Sequence, residues 1–509
     1  MADKIFCFLA NFVEKSFSSL RENSGKGRKF LVFIRRSDMN QIFNYLKKYQ
    51  LNRNSNFFTD SEFSCLAESK FTDLIKIANP ETPSKVLISE PKPTEFLADF
   101  IAAVAAGYQV FLCNPNWGKL EWEEVLKLVQ PDMILGNILN HKFLGESLEK
   151  TSRLPKDNLY KKTLTNEQNL IMIPTGGSSG KIKFAIHTWE TLMSSVRGFQ
   201  EYFQVQQINS FCVLPLYHVS GLMQFMRSFT TGGNLIILPS YKDIFDKTEW
   251  NINPNEFFIS LVPTQLQNLL QKAEIANWLS NFQTVILGGA PAWEELFYAA
   301  RKYQIKLAPT YGMTETASQV ATLKPEDFLA GNNSNGEVLP HAKIIVQNES
   351  REILGQNQIG NISIKANSLA LGYYPNIFNN SESLATDDLG FFDSQGYLKI
   401  VGRNSQKIIT GGENVFPVEV EAAILATGLV NDVCVIGLPD KYWGEVVTAV
   451  YVGNNFEVSR EKLLVAIDGK LSKFKQPKYW VRVESLLRNY QGKINRELLK
   501  EIAIQRIKD

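Results

Sequence analysis

Short β-branched runs alternate with helical patterns through most of this chain. Each run is apolar, brief and closely followed by proline or glycine, a combination that predicts buried strands. The clearest are QVFLCNP (109–115), NSFCVLPL (209–216), NLIILP (234–239), FFISLVP (257–263) and QTVILGG (283–289). Helical patterns stand between them, as over Leu120–Val129 and Ala292–Tyr303. The alternation predicts an α/β body whose sheets are covered by helices.

The pattern of predicted secondary structure changes twice toward the C-terminus. After Gly331 the chain becomes rich in turns and short strands, namely HAKIIVQ (341–347), GNISIKA (360–366) and GYLKIVG (396–402). Beyond residue 403 we expect helix, strand, strand and helix over VFPVEVEAAILA (415–426), VNDVCVIGLPD (430–440), EVVTAVYVG (445–453) and REKLLVAIDGKLSK (460–473). The sequence therefore predicts a large N-terminal domain of helix-covered sheets with a β-rich subdomain, 1–402, and a small, mobile α+β C-terminal domain, 403–509.

Composition narrows the partners and the compartment. The 509 residues carry a formal net charge of +2, which favours neither nucleic acid nor an anionic membrane as a partner. The five cysteines are scattered and never spaced as C-x-x-C, and the four histidines form no metal-spaced pair. This pattern argues against a disulfide framework or a zinc site and fits a reducing compartment, so we expect a cytoplasmic protein.

Two apolar stretches need an interpretation. MADKIFCFLANFVEKSF (1–17) lacks a basic start and a small-residue cleavage site, so it predicts an amphipathic first helix instead of a signal peptide. FLADFIAAVAAGYQVFL (96–112) is interrupted by Asp99 and Gln109 and is too short to span a bilayer. We interpret it as a buried helix followed by a strand, and we expect no transmembrane segment.

The glycine-rich loop TGGSSGK (175–181) resembles two well-known motifs without fitting either. A Walker A loop needs four residues between its last two glycines and a hydroxyl after its lysine, whereas this loop has three residues and Ile182. A hydrolase nucleophile elbow would place Ser178 on a strand-to-helix turn. Both motifs therefore predict a helix after Lys181.

The residues after the loop predict a strand instead. In KIKFAIHTW (181–189) the apolar Ile182, Phe184 and Ile186 alternate with Lys181, Lys183, Ala185 and His187, which is period two. The loop thus joins two strands. It is either a hairpin whose backbone N–H groups and hydroxyls bind phosphate, or a glycine-rich hairpin without a ligand. The residues of the loop alone do not distinguish these two interpretations.

Four further motifs follow in order: APTYGMTETAS (308–318), ATDDLGFFDSQGYLKIVGR (385–403), KIITGGENVFPVEVE (407–421) and NYQGKINREL (489–498). Together with the loop, they resemble the adenylate-forming superfamily of acyl-CoA synthetases, nonribosomal adenylation domains and luciferases. The resemblance runs from about residue 95 to the C-terminus. It implies that the chain uses ATP and Mg²⁺ to activate a carboxylate as acyl-AMP, releases pyrophosphate, and then transfers the acyl group to CoA.

The resemblance implies a role for each motif residue. Thr314, Glu315 and Lys493 would be catalytic: Thr314 binds the α-phosphate, Glu315 holds Mg²⁺, and Lys493 bridges the carboxylate and the α-phosphate. Tyr311 would stack on adenine, and Asp388 and Arg403 would bind the ribose. The remaining ATP-binding residues are Thr175, Gly176, Gly177, Ser178, Ser179, Gly180 and Lys181 on the phosphates, with Gly289, Ala290, Gly312 and Met313 near the nucleotide.

The second half-reaction involves the C-terminal domain. By resemblance, Gly411 and Gly412 would line a tunnel for the CoA thiol, and Ser405 would be the hinge about which the domain swings after adenylation. The chain departs from the family at two places: Asp387 stands where relatives usually have glycine, and Ser405 where they commonly have aspartate. A hinge needs permissive backbone torsions and no charge, so we expect rotation to survive.

The stretch VLPLYHVSGLMQFMRSFTTGG (213–233) indicates the kind of acid substrate, because Arg227 interrupts an apolar helix there. Such an arginine either extends to the surface or pairs with a second carboxylate on the substrate. This stretch, SLVPTQLQNLL (260–270) and PTYGMTETASQVATL (309–323) resemble o-succinylbenzoate–CoA ligases of menaquinone and phylloquinone biosynthesis; the region around QVFLCNP looks most like their cyanobacterial or plastid type. Their substrate has one carboxylate on the activated arm and one on the ring. The resemblance suggests His218, Ser220, Arg227 and Thr264 as substrate residues.

Three alternatives remain open from the residues. A synthetase for another aryl or medium-chain acid would need no arginine in its pocket. A serine hydrolase would use Ser178 and need a helix after Gly180. A binding protein that kept the fold but lost activity would be expected to lack Glu315 or Lys493, and both are present.

Overall fold

The computed structural model describes residues 42, 45–46, 60–77, 84–136, 169–176, 182–246, 252–378, 383–454, 458–488 and 494–508. The expected first helix, most of the glycine-rich loop (177–181) and Lys493 lie outside these residues. The chain divides into two compact units, Met1–Met172 with Tyr374–Ile377, and Ile173–Tyr373 with Phe378–Asp509.

The first unit is built on parallel strands. Its elements are α1 (Asp60–Ile77), β1 (Lys85–Ile88), α2 (Pro93–Ala105), β2 (Gln109–Leu112), α3 (Lys119–Val129) and β3 (Met133–Leu135). β1 pairs in parallel with both β2 and β3, and β2 pairs in parallel with Ile171 and Met172 at the start of β4 (Leu170–Gly176). Helix α2 starts at a proline, which suits the first helical turn, and ten of its residues are buried. This confirms the buried helix followed by a strand.

In the second unit, β5 (Ile182–Thr188) follows the end of β4 and is its neighbour in one sheet. A strand therefore does follow the glycine-rich loop, as predicted, which argues against the Walker A and hydrolase interpretations. The alternation within β5 is only partly right, however. Lys183 is exposed, but Ala185 and His187 are as buried as Phe184 and Ile186, because both faces of the strand are covered here.

A second sheet forms the core of this unit. Its strands are β6 (Asn209–Cys212), β7 (Leu235–Ile237), β8 (Phe257–Leu261), β9 (Thr284–Leu287), β10 (Leu307–Met313), β11 (Ser318–Thr322) and β12 (Glu337–Val338). Its helices are α4 (Trp189–Phe203), α5 (Val219–Thr231), α6 (Pro263–Leu269), α7 (Ala273–Ser280), α8 (Glu294–Lys302) and α9 (Pro325–Leu329). The order is β12-β11-β10-β9-β8-β6-β7, parallel from β7 to β10 and antiparallel from β10 to β12. The five strands and two helices predicted from the sequence are confirmed.

The β-rich region after Gly331 forms an antiparallel sheet in the order β13-β14-β17-β18. Its strands are β13 (Ala342–Gln347), β14 (Gly360–Ala366), β17 (Leu384–Phe392) and β18 (Leu398–Arg403); the short β15 (Gly372–Tyr373) and β16 (Asn376–Ile377) lie in the connection after β14. β15 instead pairs with β5, and this brings Tyr373 opposite Ala185. The predicted β-rich subdomain is thus confirmed.

The C-terminal α+β region has helices on two faces of one sheet. Its elements are β19 (Ile408–Thr410), β20 (Glu413–Val415), α10 (Pro417–Leu425), β21 (Val430–Asp440), β22 (Gly444–Gly453), α11 (Arg460–Ile467), β23 (Tyr479–Arg482) and α12 (Arg496–Lys508). Helices α10 and α11 pack on one side of the sheet and α12 on the other. The helix predicted over 460–473 is too long: it ends at Ile467, because Asp468 is extended and Gly469 has a φ of +74°.

Several features predicted from composition can be checked in the described residues. No helix among them is both long and apolar enough to cross a membrane. Those same residues contain no group of three or more His, Cys, Asp and Glu side chains that could hold a metal ion. Cys65, Cys113, Cys212 and Cys434 are free thiols.

Candidate active site

Three of the residues predicted to bind nucleotide meet at one carboxylate. The Tyr311 hydroxyl donates to Oδ2 of Asp388 over 2.7 Å, and Arg403 Nε donates to Oδ1 over 3.2 Å. β17 and β18 make the second contact possible because their register sets Asp388 opposite Arg403. Asp388 is only 8% exposed. Burial, followed by the Asp388 charge, raises the pKa of Tyr311, so the phenol remains a neutral donor.

Gly312 is required by a close approach of two strands. A Cβ atom there would lie 2.2 Å from the carbonyl oxygen of Ser318 in the neighbouring strand. The neighbouring strands β9 and β10 are parallel, so their carboxyl ends meet at one edge of the sheet. The exposed Gly289 and Ala290 follow β9 at the same edge at which Tyr311, Gly312 and Met313 end β10. These positions form an exposed backbone strip next to a buried tyrosine.

The motif TYGMTET ends in a tight turn that carries Glu315. Residues Thr314–Thr316 form a single 3₁₀ turn, followed by Ala317 at φ +50° and Ser318 at φ +103°. Such positive φ values are unfavourable for residues other than glycine, so the surroundings must hold the turn in place.

Tyr373 holds the Glu315 side chain. Its hydroxyl donates to Oε1 of Glu315 over 2.6 Å, and the carboxylate is nearly buried. Burial, and then the Glu315 charge, raise the pKa of Tyr373, so it stays protonated. The ammonium group of Lys183 lies 5.3 Å from the centre of the Tyr373 ring. One oxygen of the carboxylate is thereby fixed in position by a neutral donor.

His187 also contacts the turn formed by Thr314–Thr316. Its Nε2 lies 2.8 Å from the carbonyl oxygen of Thr314, and its Nδ1 lies 3.1 Å from the Thr191 hydroxyl. The ring is fully buried, and burial lowers the pKa of His187 to about 4. The imidazole is therefore neutral near pH 7.

Arg227 is buried, so the interpretation as a surface side chain is wrong. It is 4% exposed, and its guanidinium carbon lies 4.2 Å from the centre of the Phe199 ring. One terminal nitrogen donates to Ser318 Oγ over 3.0 Å and to Gln319 Oε1 over 2.8 Å. Nε has no partner within the described residues, and burial lowers the pKa of Arg227 to about 9. The charge thus contacts Ser318 and Gln319, which follow the Glu315 turn, and has no ion-pair partner in the described part of the chain.

The other predicted substrate residues lie elsewhere on the same elements. His218 is the N-terminal cap residue of α5 and its ring contacts Tyr217. Ser220 is exposed in the first turn of α5, and Thr264 is exposed in the first turn of α6. Arg227 lies nine positions after His218, which corresponds to roughly 13 Å along the helix axis. The substrate roles of His218, Ser220 and Thr264 stay predictions.

The predicted hinge and tunnel residues lie in the C-terminal part of the second unit. Gly411 and Gly412 have φ values of +59° and +85°, and a Cβ on Gly411 would lie 2.7 Å from the Trp443 ring. Both positions thus favour glycine. The Ser405 backbone N–H donates to Asp387 Oδ1 over 3.1 Å, and its hydroxyl donates to Asp387 Oδ2. The two departures from the family pattern are therefore in contact with each other.

The glycine-rich loop is described only at its start. Thr175 is buried and Gly176 ends β4. Gly177, Ser178, Ser179, Gly180 and Lys181 lie outside the described residues, as does Lys493, so their predicted roles stay predictions.

Sequence reasoning missed four side chains near these groups: His187, Tyr373, Gln319 and His341. His187 stood within the quoted strand but on the face expected to be outward. His341 packs its ring against Gly198, and burial followed by the Arg227 charge lowers its pKa to about 4. Gln319 lies within the quoted stretch 309–323, but nothing in the residues assigned a role to any of the four, so only their contacts identify them.

Comparison with known proteins extends these observations. A family model described as AMP-binding enzyme matches residues 74–374, more than half of the chain, and one described as AMP-binding enzyme C-terminal domain matches 419–493. A curated 2-succinylbenzoate–CoA ligase of Listeria monocytogenes is 33% identical over 337 residues, covering 64% of this chain and 68% of the relative. The likeness to the cyanobacterial or plastid type is untested by this match and stays a prediction.

Solved structures share the fold. The o-succinylbenzoate CoA synthetase of Bacillus subtilis, in complex with the acyl-adenylate OSB-AMP, superposes with a TM-score of 0.76 at 23% identity, covering 90% of this chain and 98% of that one. The same enzyme with ATP and magnesium gives 0.76 at 24% identity, covering 90% and 99%. ATP-bound MatB of Rhodopseudomonas palustris gives 0.76 at 23% identity, covering 91% and 98%. Three equal scores leave the acid undecided, but the family matches are unambiguous: this chain belongs to the AMP-binding enzyme family.

Proposed function

We propose that this chain is an ATP-dependent acid–CoA ligase whose acid is o-succinylbenzoate. In the first half-reaction a carboxylate oxygen of the acid attacks the α-phosphorus of ATP, and the bond to pyrophosphate breaks. In the second, the CoA sulfur attacks the acyl carbonyl and AMP leaves. The family membership and the Listeria relative, named 2-succinylbenzoate–CoA ligase, support this proposal.

The residues present fit ATP and a magnesium ion. Asp388 offers a buried carboxylate to a cis-diol, and Arg403 and Tyr311 hold that carboxylate in position. Mg²⁺ commonly takes only one or two protein carboxylates and completes its shell with water and phosphate oxygens. Glu315 suits this role because Tyr373 fixes one of its oxygens and a metal could take the other. The metal would neutralise charge on the phosphates while the acid attacks.

The observation that carries the choice of acid is the buried Arg227 charge. A guanidinium that is 4% exposed and has no ion-pair partner among the described residues is costly unless an anion arrives. Through Ser318 and Gln319 it adjoins the turn that bears Glu315. A dicarboxylate can place one carboxylate at the α-phosphate and the other near Arg227. A medium-chain acid would leave this charge unpaired.

The glycine-rich loop, Lys493 and the C-terminal region complete the proposal. We assign the glycine-rich loop to the β- and γ-phosphates and Lys493 to the developing charge between the acid and the α-phosphate. Gly411 and Gly412 would let the pantetheine arm approach the backbone, with Ser405 as the hinge and residue 403 as the start of the moving domain. The partners are then the acid, ATP and CoA, without nucleic acid, and the cytoplasm supplies all three.

A pyrophosphate-release assay across a panel of acids, with and without CoA, tests the proposal. We expect release with o-succinylbenzoate, its acyl-CoA product only when CoA is added, and loss of release in Glu315→Gln. No release with any acid would refute adenylation. Release with a medium-chain acid but not with o-succinylbenzoate would keep the ligase and replace its substrate.

A further inference from the structure

We infer that His187 is a positioning residue for adenylation: its neutral ring holds the Thr314 carbonyl, and through it the turn that carries Glu315. This inference rests on the proposed function, because it assigns a purpose to that turn. Neither the motifs nor the family resemblance singled out this residue.

The hydrogen bonds of His187 define its tautomer. A carbonyl oxygen only accepts, so Nε2 must carry the proton that is shared with Thr314 over 2.8 Å. Nδ1 of the neutral ring then accepts. The Thr191 hydroxyl lies 3.1 Å from Nδ1 and 2.9 Å from the Thr188 carbonyl oxygen, so its one proton is shared between these two acceptors. Thr191 lies four residues after His187, in the first turn of α4. The ring is thus held from one side and donates on the other.

The turn needs such support because its backbone is strained. Ala317 and Ser318 both have positive φ, a conformation that persists only where neighbouring groups fix it. The Ala370 N–H donates to the Glu315 carbonyl over 2.8 Å, and the Ser368 hydroxyl donates to the Thr316 carbonyl over 2.8 Å. His187 supplies the corresponding donor to Thr314. Three successive carbonyls of the turn are therefore held by two different segments, strand β5 and residues 368–370.

The position of His187 in the chain gives this contact a second consequence. β5 begins at Ile182, directly after the glycine-rich loop, and His187 lies five residues further along the same strand. The hydrogen bond to Thr314 therefore joins the strand leading out of the proposed phosphate loop to the turn of the proposed metal carboxylate. A fixed distance between strand β5 and the Glu315 turn would align ATP with magnesium before the acid attacks.

Two substitutions separate positioning from packing. Glutamine can place its amide nitrogen, Nε2, where the imidazole Nε2 stood, so His187→Gln should retain adenylation within a few-fold. Asparagine is one bond shorter and cannot reach Thr314, so His187→Asn should lower the rate of pyrophosphate release roughly 100-fold and raise the Mg²⁺ concentration needed for half-maximal release. Thioesterification of a supplied acyl-adenylate should stay unchanged, because it needs no magnesium-bound triphosphate.

Thr191→Val is the second probe, should His187→Asn fail to fold. It leaves the imidazole in place but removes the hydroxyl that Nδ1 shares with Thr188, so it should slow pyrophosphate release while sparing thioesterification. Melting temperatures are measured for all three variants. Equal losses in Gln and Asn variants that are both folded, or equal losses in both half-reactions, would overturn the inference. A wild-type protein that releases no pyrophosphate would instead overturn the proposed function.

Discussion

Replacing Arg227 by methionine should lower activity on o-succinylbenzoate without destabilising the protein. Methionine is flexible and apolar, and it can occupy the space beside Phe199 that the arginine stem now fills. The guanidinium is nearly buried and burial lowers the pKa of Arg227 to about 9, which indicates a charge without full compensation. Removing such a charge is commonly neutral or stabilising. The hydrogen bond from Ser318 to Gln319 remains to satisfy the amide oxygen.

The size of the activity loss follows from the contact proposed for the second carboxylate. A charge-assisted hydrogen bond contributes about 1.5–3 kcal/mol in a buried setting. Losing about 1.5–3 kcal/mol of transition-state stabilisation corresponds to a fall of about 13- to 160-fold in kcat/KM. A carboxylate that reached Arg227 only through solvent would give a much smaller effect.

The assay compares two acids that differ by a single group. Pyrophosphate release is measured with o-succinylbenzoate and with 4-oxo-4-phenylbutanoate, which keeps the activated arm but lacks the ring carboxylate. The loss should appear with the first acid only. Arg301→Met is the matched control, because Arg301 also lies over a ring, 4.3 Å from Phe328, and donates to the carbonyls of Phe328 and Asn332. None of these contacts involves a residue of the Glu315 turn.

Two results would refute the reasoning. Unchanged kcat/KM for o-succinylbenzoate in Arg227→Met would mean that the arginine does not bind the ring carboxylate of the substrate. An equal loss with both acids would mean that it supports the turn through Ser318 and Gln319 without contacting the ring carboxylate. In the second case adenylation would stand, and the dicarboxylate assignment would lose its main support.

Three further predictions concern the glycine-rich loop, the partly buried His341 and the predicted hinge. Alanine substitutions in the glycine-rich loop should weaken adenylation and spare thioesterification of a supplied acyl-adenylate, at Ser178, Ser179 and Lys181; equal losses in both half-reactions would contradict a phosphate role. Burial lowers the pKa of His341 to about 4, so the unfolded chain takes up this proton near pH 6.5 while the folded chain does not. Unfolding free energy should therefore fall as pH drops from about 6.5 to 4, by up to about 3 kcal/mol for this group. Denaturant titrations should give a shallower fall in His341→Gln, and an identical slope would exclude the histidine as its source. Finally, Asp387→Asn should change the ratio of the two half-reaction rates by no more than about 5-fold, since an exposed contact is worth about 1 kcal/mol or less; rapid-quench measurement of acyl-AMP and acyl-CoA gives that ratio, and a larger change would show that the contact governs the rotation.

The elements with strong periodicity were predictable because burial leaves a direct mark on the sequence. QVFLCNP and QTVILGG are strands since each fills a sheet interior with branched side chains. The end of the helix at 460–473 was not, because Gly469 in the left-handed region stops a pattern that the apolar spacing alone would continue. The outward face assigned to His187 failed for a related reason. Alternation identifies the more apolar face of a strand but says nothing about whether the other face is also covered.

The site was predictable only as a set of motifs. Tyr311 and Asp388 lie 77 residues apart in sequence, and their 2.7 Å contact is produced by the fold. Arg227 was conspicuous because a charge interrupts an apolar helix, yet its contact with Gln319, 92 residues away, could not be inferred. Tyr373 and His187 carry no reactive pattern, and they become functional candidates solely through what they touch. The domain boundary at 403 stays a prediction, since the two compact units divide elsewhere.

The contact between Asp387 and Ser405 changes the meaning of the two departures from the family pattern. Taken singly, Asp387 adds a charge near the proposed ribose site, and Ser405 removes a charge from the predicted hinge. In contact, they keep a carboxylate beside the hinge but move it from the turn Asn404–Gln406 to strand β17, where it accepts both the N–H and the hydroxyl of Ser405. Both residues are exposed, so water competes for these bonds and their net contribution is small. A link of this strength can favour one orientation of the C-terminal region several-fold but cannot prevent rotation. In the proposed rotation the exchange of residues would therefore preserve a weak hinge contact, and the stronger determinants of the two proposed states would lie in the surfaces that such a rotation exposes and covers.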